Sequence, residues 1–273
     1  RLPLQPIPRT GRVSPGYSKG IPSPRQMKNF LRGSLIPFAI VMIWWWGSSV
    51  NAWNRFLLPS PQAVFQAAAE LSEEGILFSH IQSSLLLVLK GFGAACLLGF
   101  PMGVFFGFTP RLLRYANSSL EFIRHIPPIA LVPLFILWFG LGNGTKIVTI
   151  ALAAFFPIFL NTFTALRAID PQLLEVGSIF RFKLSERFFL IALPGMIPLL
   201  LTGVRLGLGY SWRALIGAEI LAASSGLGFL ILEAEQMGRS DRILLGVIII
   251  GILGSMMDYT LRIGIRRIAP WIE

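Results

Sequence analysis

The residue types that carry most enzyme chemistry are scarce in this sequence. The chain has one cysteine, Cys96, and two histidines, His80 and His125, a set without the spacing of a metal site. Cys96 lies in an apolar run, where a cysteine usually serves as a small buried hydrophobe. Because no nucleophile, base or metal ligands cluster, we expect no catalytic site and no cofactor bound by this chain.

Ionisable residues inside apolar runs are the stronger candidates for function. Charges are costly in lipid, so such residues usually line a path or pair with one another. Asp258 and Arg262 have i,i+4 spacing, which predicts a structural ion pair. For the others, a role in a solute pathway and a structural role both remain open; they are Lys90, Arg205, Arg213 and Glu219.

Prolines form a second set of candidates. Pro127 and Pro128, followed by Pro133, interrupt helical hydrogen bonding within an apolar segment. Broken backbone at membrane depth is tolerated where it is buried in protein or lines a cavity. A hinge or pathway role and a simple packing kink are both consistent with this pattern.

The composition indicates the elements that must position these residues. The 273 residues are 54% hydrophobic and 14% charged, with a mean hydropathy of +0.68, whereas soluble domains carry about 25% charged residues. Lys and Arg number 24 against 13 acids, a net charge of +11. The basic residues stand between long apolar runs, so the charge indicates a membrane protein with lipid contacts and no nucleic-acid partner.

Apolar runs long enough to cross a bilayer predict an all-α membrane domain over residues 34–273 with about six spans. The fifth span is polar in its second half, and residues 211–237 have the composition of a break followed by a short extra helix. The predicted spans are 35–50, 81–108, 126–141, 147–166, 188 to beyond 204, and 243–265.

The distribution of Lys and Arg predicts the orientation. Alternate loops are basic, which places both termini in the cytoplasm and agrees with an even number of spans. Residues 1–33 carry seven basic residues, no acid and six prolines. They are expected to form a flexible, non-helical cytoplasmic tail that touches anionic lipid or has a regulatory role.

Small residues recur at helix-packing spacing. Gly99, Gly103 and Gly107 form overlapping G-x-x-x-G steps in the second span, and Gly203 and Gly207 repeat the pattern in the fifth. Such residues let helix backbones approach closely in lipid. The pattern leaves open whether the contacts lie within one chain or between two.

The loop at about residues 168–190, between the fourth and fifth spans, predicts a short amphipathic helix. Asp170 suits the N-cap and Pro171 the first helical position. Leu174, Ile179 and Phe180 supply apolar positions among charged ones. From the residues alone, the helix either lies on lipid or docks into a partner's groove.

This loop resembles the E-A-A-x-x-x-G-x(9)-I-x-L-P signature of binding-protein-dependent ABC importer permeases. Arg181 departs from it, because the family has a glycine there that ends the helix in a left-handed turn. The matching positions are Glu175, Val176, Gly177, Ile191, Leu193 and Pro194. Residues 58–61, 125–142 and 203–209 are similar to the nitrate/sulfonate/taurine/bicarbonate branch, so the resemblance covers roughly residues 58–271.

The resemblance implies a type I importer permease of a bacterial inner membrane. Its partners would be two ATPase subunits, which bind ATP and Mg²⁺, a second permease subunit in a homodimer, and an external solute-binding protein. The sequence has no P-loop motif of its own. The loop would be the coupling helix, and the residues implied in ATPase contact are Leu174, Glu175, Val176, Gly177, Phe180 and Arg181.

Alternatives remain open for both the solute and the class of transporter. Residues 222–229 look more like sulfonate and taurine permeases than nitrate and bicarbonate ones, which favours an organic sulfonate or related oxoanion. A nitrate, bicarbonate or other small-metabolite permease is the first alternative. A secondary transporter or channel is the second, although it would leave the cytoplasmic loop unexplained.

Overall fold

The computed structural model describes residues 24–222 and 224–270, and all regular secondary structure in these ranges is helical. The side chains of residues 24–34, Leu174 and Ile268 are not described. By their contacts, the described residues divide into two compact units, one up to Ala52 and one from Trp53 onward.

The first unit contains helix α1, Pro24–Ser49. Proline is tolerated in a first helical turn because its missing N–H would have no partner there. Residues 24–33 are therefore helical, and the prediction of a non-helical tail is wrong for them. The rest of that tail, residues 1–23, lies outside the described residues.

The second unit consists of helices joined by short turns. Two irregular turns interrupt them, a 3₁₀ turn at Pro128–Leu131 and a π-helical stretch at Phe188–Ala192. The helices are α2 (Pro61–Glu73), α3 (Ile76–Phe108), α4 (Pro110–His125), α5 (Val132–Phe139), α6 (Asn143–Arg167), α7 (Pro171–Ile179), α8 (Leu184–Arg187), α9 (Leu193–Ala222), α10 (Leu227–Gln236) and α11 (Ser240–Ile268).

Helices α3 and α6 run parallel at close range. A methyl group added at Gly103 would lie 2.6 Å from Cβ of Thr162, and one added at Gly107 would clash with Cδ2 of Leu166. Both contacts join residues with the same sequence separation, as parallel helices require. The glycine stripe of the second span therefore packs within the chain, which answers the question that the sequence left open.

Helix α9 packs antiparallel on the same helix α6. A methyl group at Gly203 would lie 2.5 Å from Cβ of Asn161, and one at Gly207 would lie 2.9 Å from Cγ1 of Ile158. The order of the partners is reversed, so α9 returns across the membrane. Both predicted glycine patterns therefore face α6, the central helix of the unit.

The parallel packing of α3 and α6 determines the path of the chain between them. Residues 109–142 must return from the end of α3 to the start of α6. They do so as α4, the 3₁₀ turn and α5, with an 85° bend between the two halves. The predicted third span, residues 126–141, is wrong in its bounds, because α5 has only eight residues and crossing the bilayer also requires α4.

The remaining spans follow the predictions more closely. Among the described residues, four helices are long and apolar enough to cross a membrane, namely residues 76–108, 143–167, 184–222 and 240–267. Their bounds include the predicted second, fourth, fifth and sixth spans. The predicted break after the fifth span is confirmed by the turn that leads into α10. In α1, the apolar helix Leu35–Ser49 is shorter than a typical span.

Candidate functional site

The segment between α6 and α9 begins with the predicted capped helix. Asp170 is the N-cap of α7, and its carboxylate accepts a hydrogen bond of 2.8 Å from the backbone N–H of Gln172. Pro171 occupies the first helical position. The helix prediction for this loop is therefore confirmed.

Arg181 ends α7 in the left-handed turn that the resemblance assigned to glycine. Its φ is +54°. The Phe182 N–H donates to the Gly177 carbonyl at 2.9 Å, and the Arg181 N–H donates to the Ser178 carbonyl at 3.0 Å. These two bonds define a Schellman motif. The arginine thus keeps the turn at a cost of about 1–2 kcal/mol relative to an unstrained residue.

Gly177 allows α7 to pack closely on the chain that follows it. It is buried, and a methyl group there would lie 2.8 Å from Cδ1 of Ile191. Arg187 donates through Nε to the Phe182 carbonyl at 3.1 Å, which ties the next turn to this one. Of the six implied coupling residues, Gly177 therefore shapes the segment and does not face outward.

The outward face of this segment is apolar. Ile179 is 76% exposed and Phe180 is 68% exposed, with Val176 and the charged Glu175 exposed beside them. The side chain of Leu174 is outside the described part of the chain. A helix with exposed apolar residues and one acid has the features of a docking element.

An apolar cavity of about 560 Å³ lies beside α9, on the side where α4 meets the 3₁₀ turn. The predicted residues Pro127, Pro128 and Arg213 line it together with Arg124. The two prolines lie where α4 gives way to the 3₁₀ turn. The chain break therefore borders a cavity, which favours the hinge or pathway interpretation over a packing kink.

The cavity carries positive charge without a compensating acid. Within the described residues, neither Arg124 nor Arg213 has a carboxylate within 4 Å. The guanidinium of Arg213 instead lies 5.7 Å from the ring centroid of Tyr210, a cation–π contact. An apolar chamber with two unpaired arginines suits an organic anion with an apolar portion.

Arg205 and Asp258 form an ion pair between α9 and α11. Arg205 donates to both carboxylate oxygens, at 2.7 and 3.1 Å. Arg262 donates to the same carboxylate at 2.6 Å, so the predicted Asp258–Arg262 pair is confirmed. Arg205 also lines a second cavity of about 450 Å³ with Asp258.

Two predicted pathway candidates do not line these cavities. Glu219 is fully buried, and its carboxylate accepts hydrogen bonds from Ser84 Oγ at 2.7 Å and Gly228 N–H at 2.9 Å. Glu219 therefore lines none of the described cavities and has hydrogen-bond partners within the fold, which favours the structural interpretation of this residue. Lys90 is exposed on the outside of the unit and lines none of the described cavities.

The turn between α9 and α10 is fixed by polar residues of α3 that the sequence did not single out. Ser84 Oγ accepts a hydrogen bond of 2.9 Å from the Leu227 N–H, and His80 Nδ1 accepts one of 2.9 Å from the Gly226 N–H. Gly226 has a φ of +115°. In the sequence, a glycine beside polar residues is the signal for this turn. The sequence does not indicate that α3 supplies the hydrogen-bond partners of the turn.

A salt-bridge cluster joins α2 to the start of α11 at the opposite end from α7. Arg239 pairs with Asp241 at 2.7 Å and with Glu70 at 3.3 Å, and Arg242 also pairs with Glu70 at 3.5 Å. Hydrogen bonding to Asp241 raises the pKa of Arg239 further above its ordinary value, so this guanidinium stays charged at physiological pH. Within the described ranges, no group of three His, Cys, Asp or Glu residues could hold a metal ion.

Comparison with protein families gives a match over residues 97–272 to the model of "Binding-protein-dependent transport system inner membrane component". Curated relatives match most of the chain. The "Putative aliphatic sulfonates transport permease protein SsuC" of Bacillus subtilis is 35% identical over 90% of both chains. The "Taurine transport system permease protein TauC" of Escherichia coli is 30% identical over 85% of this chain and 86% of its own.

A third relative comes from the bicarbonate side of the same branch. The "Bicarbonate transport system permease protein CmpB" of Synechococcus elongatus is 30% identical over 91% of both chains. Among solved structures, an inward-facing MetNI methionine ABC transporter matches with a TM-score of 0.63 and 18% identity, over 74% of this chain and 98% of that one. This last match supports the fold, which is that of a type I importer permease.

Proposed function

Because the chain belongs to the family of binding-protein-dependent transport system inner membrane components, we propose that it is the permease subunit of an ABC importer for aliphatic sulfonates. The family makes it a multi-pass membrane protein and a translocation subunit. ATP and Mg²⁺ would bind to the partner ATPase subunits and not to this chain.

The observation that carries the substrate class is the charged, mostly apolar cavity beside α9. Its two arginines without a carboxylate partner would offset the cost of bringing a sulfonate group out of water. Its apolar lining, which includes Phe156 and Leu206, would accept the alkyl portion. Relatives named for aliphatic sulfonates and taurine support the same class.

Bicarbonate is the second candidate, since a bicarbonate permease aligns with nearly the whole chain. Bicarbonate is an anion without an apolar portion. The arginines could therefore bind it, but the apolar walls of the cavity would make no favourable contact with it. The two candidates therefore differ in how transport should depend on alkyl length.

The α7 segment supports an ATPase partner. Its apolar, exposed Ile179 and Phe180 would fill a groove in that subunit, and Glu175 would make a charged contact at the rim. Closure of the ATPase subunits would then pull α7, which packs through Gly177 on Ile191 in the π-helical stretch that leads into α9. Two copies of this permease, two ATPase subunits and an external binding protein would make the complete importer.

The orientation follows from the same assignment. With α7 in the cytoplasm, α9 begins there, and α11 runs antiparallel to α9, since Arg205 contacts Asp258 while Trp212 contacts Ile250; the carboxyl end of α11 would therefore lie in the cytoplasm as well. Arg266 and Arg267 at that end fit the positive-inside rule. One crossing by α1 would place the amino terminus in the cytoplasm, in a bacterial inner membrane.

The experiment is uptake by the complete importer in proteoliposomes. The permease is reconstituted with its ATPase and cognate binding protein, and uptake of radiolabelled ethanesulfonate, nitrate and bicarbonate is compared with ATP inside the vesicles. We expect ATP-dependent accumulation of ethanesulfonate. Uptake of bicarbonate or nitrate with no ethanesulfonate uptake would contradict the proposed substrate, and uptake without ATP would contradict the importer.

A further inference from the structure

Three neighbouring cavities follow α9 from its middle toward the α7 end. The first and second share Leu206, Tyr210 and Arg213 as lining residues. The second and third share Thr202 and Arg205, and the third, of about 190 Å³, extends to the carboxyl end of α11. Arginines recur along this row of cavities.

The Arg205–Asp258–Arg262 cluster stands where the second cavity meets the third. Arg205 and Asp258 lie in two helices that are long and apolar enough to cross a membrane. Their side chains are nevertheless 47% and 35% exposed in this chain. Because charged residues of membrane-spanning helices face protein or water and not lipid, these two border a water-filled path or a second protein.

The charges in this cluster do not cancel. One carboxylate, that of Asp258, accepts from two guanidinium groups, those of Arg205 and Arg262. The cluster of two guanidinium groups and one carboxylate therefore has a net charge of +1. A planar guanidinium that donates hydrogen bonds to both oxygens of a carboxylate can donate through the same N–H groups to two oxygens of a sulfonate.

We propose that Arg205 and Arg262 form an anion site on the exit side of the path, and that Asp258 occupies it between transport events. A translocated anion would displace the Asp258 carboxylate from the arginines and then leave when that carboxylate returns. The internal carboxylate would keep the site from trapping the anion, because it competes for the same donors. This inference rests on the proposed transport of an anion.

The test measures the site directly in the purified permease–ATPase complex. Equilibrium binding of radiolabelled methanesulfonate is compared for wild type, Asp258→Asn and the double variant Asp258→Asn/Arg205→Gln. Removing the competing carboxylate should tighten binding about ten-fold or more, as expected for a freed charge-assisted hydrogen bond. The double variant should lose that gain.

Glu73→Gln is the matched control, because Glu73 is an exposed acid outside all the described cavities. It should bind methanesulfonate as wild type does. Equal binding by Asp258→Asn and wild type, or a gain that persists without Arg205, would overturn the proposal.

If Asp258→Asn does not fold, the single variant Arg205→Gln tests the proposal instead. This variant leaves Asp258 paired with Arg262, so the net charge of the site falls to zero. It should slow ethanesulfonate uptake about ten-fold, while stimulation of the ATPase by the loaded binding protein persists. Unchanged uptake would overturn the proposal. Failure of wild type to transport any anion is a separate result, which would contradict the proposed function.

Discussion

Gly103→Ala tests whether the α3–α6 contact holds the membrane unit together. The added methyl group would lie 2.6 Å from Cβ of Thr162 and 2.8 Å from the Phe159 carbonyl oxygen, about 1 Å inside normal contact. Neither neighbour can move away easily. One is backbone, and Thr162 is fixed by its own hydrogen bond of 2.7 Å to the Ile158 carbonyl. The helices must therefore separate locally.

The magnitude follows from two opposing effects. Overpacking of a close contact costs about 1–3 kcal/mol, while replacing glycine by alanine within a helix gains about 0.5–1 kcal/mol. Gly93→Ala is the matched control, because Gly93 lies on the same helix with nothing within 4 Å of its added methyl group. It receives the same gain without the clash.

The difference between the two variants therefore isolates the packing cost. Gly103→Ala should be less stable than Gly93→Ala by about 1–3 kcal/mol, which is about five-fold to more than a hundred-fold in the unfolding equilibrium. Reversible unfolding by sodium dodecyl sulfate in mixed micelles, followed by circular dichroism, measures this difference. Equal stability of the two variants would refute the close packing of α3 on α6.

Three further predictions concern α7 and the α9–α10 turn. Arg181→Gly should relieve the left-handed strain, with a net gain of up to about 1 kcal/mol; amide exchange in α7 should slow, and unchanged exchange would contradict the strain. Gly226→Ala would make a methyl group clash with a carboxyl oxygen of Glu219, so it should lower stability by about 1–3 kcal/mol, whereas Gly209→Ala, in open space, should not. Phe180→Asp should abolish stimulation of the ATPase by the loaded binding protein while membrane insertion persists; normal stimulation would remove α7 from the coupling role.

The features that the sequence predicted well depend on local spacing. The N-cap at Asp170, the i,i+4 pair of Asp258 with Arg262 and the break at Pro127 each involve residues close in sequence. Backbone geometry alone determines which side chains meet at such distances. Their prediction therefore needed no knowledge of how the helices pack.

The features that the sequence missed depend on contacts between distant segments. The glycine stripe was visible, but its partner α6 was not, because a G-x-x-x-G pattern fits any neighbouring helix. Arg205 meets Asp258 from 53 residues away. The bounds of the third span were wrong for the same reason, since only the parallel packing of α3 on α6 requires residues 109–142 to cross the membrane.

Two ionisable residues of α9 show why hydropathy alone could not separate structural from functional residues. Hydropathy reports that Arg213 and Glu219 both lie in an apolar run, but not which way either side chain points. Glu219 is fully buried and accepts hydrogen bonds from fixed donors, so the fold itself satisfies its carboxyl oxygens. Arg213 faces a cavity without a carboxylate partner among the described residues. An uncompensated charge at this depth costs stability unless a ligand or water offsets it, and the solute path is therefore to be sought beside Arg213.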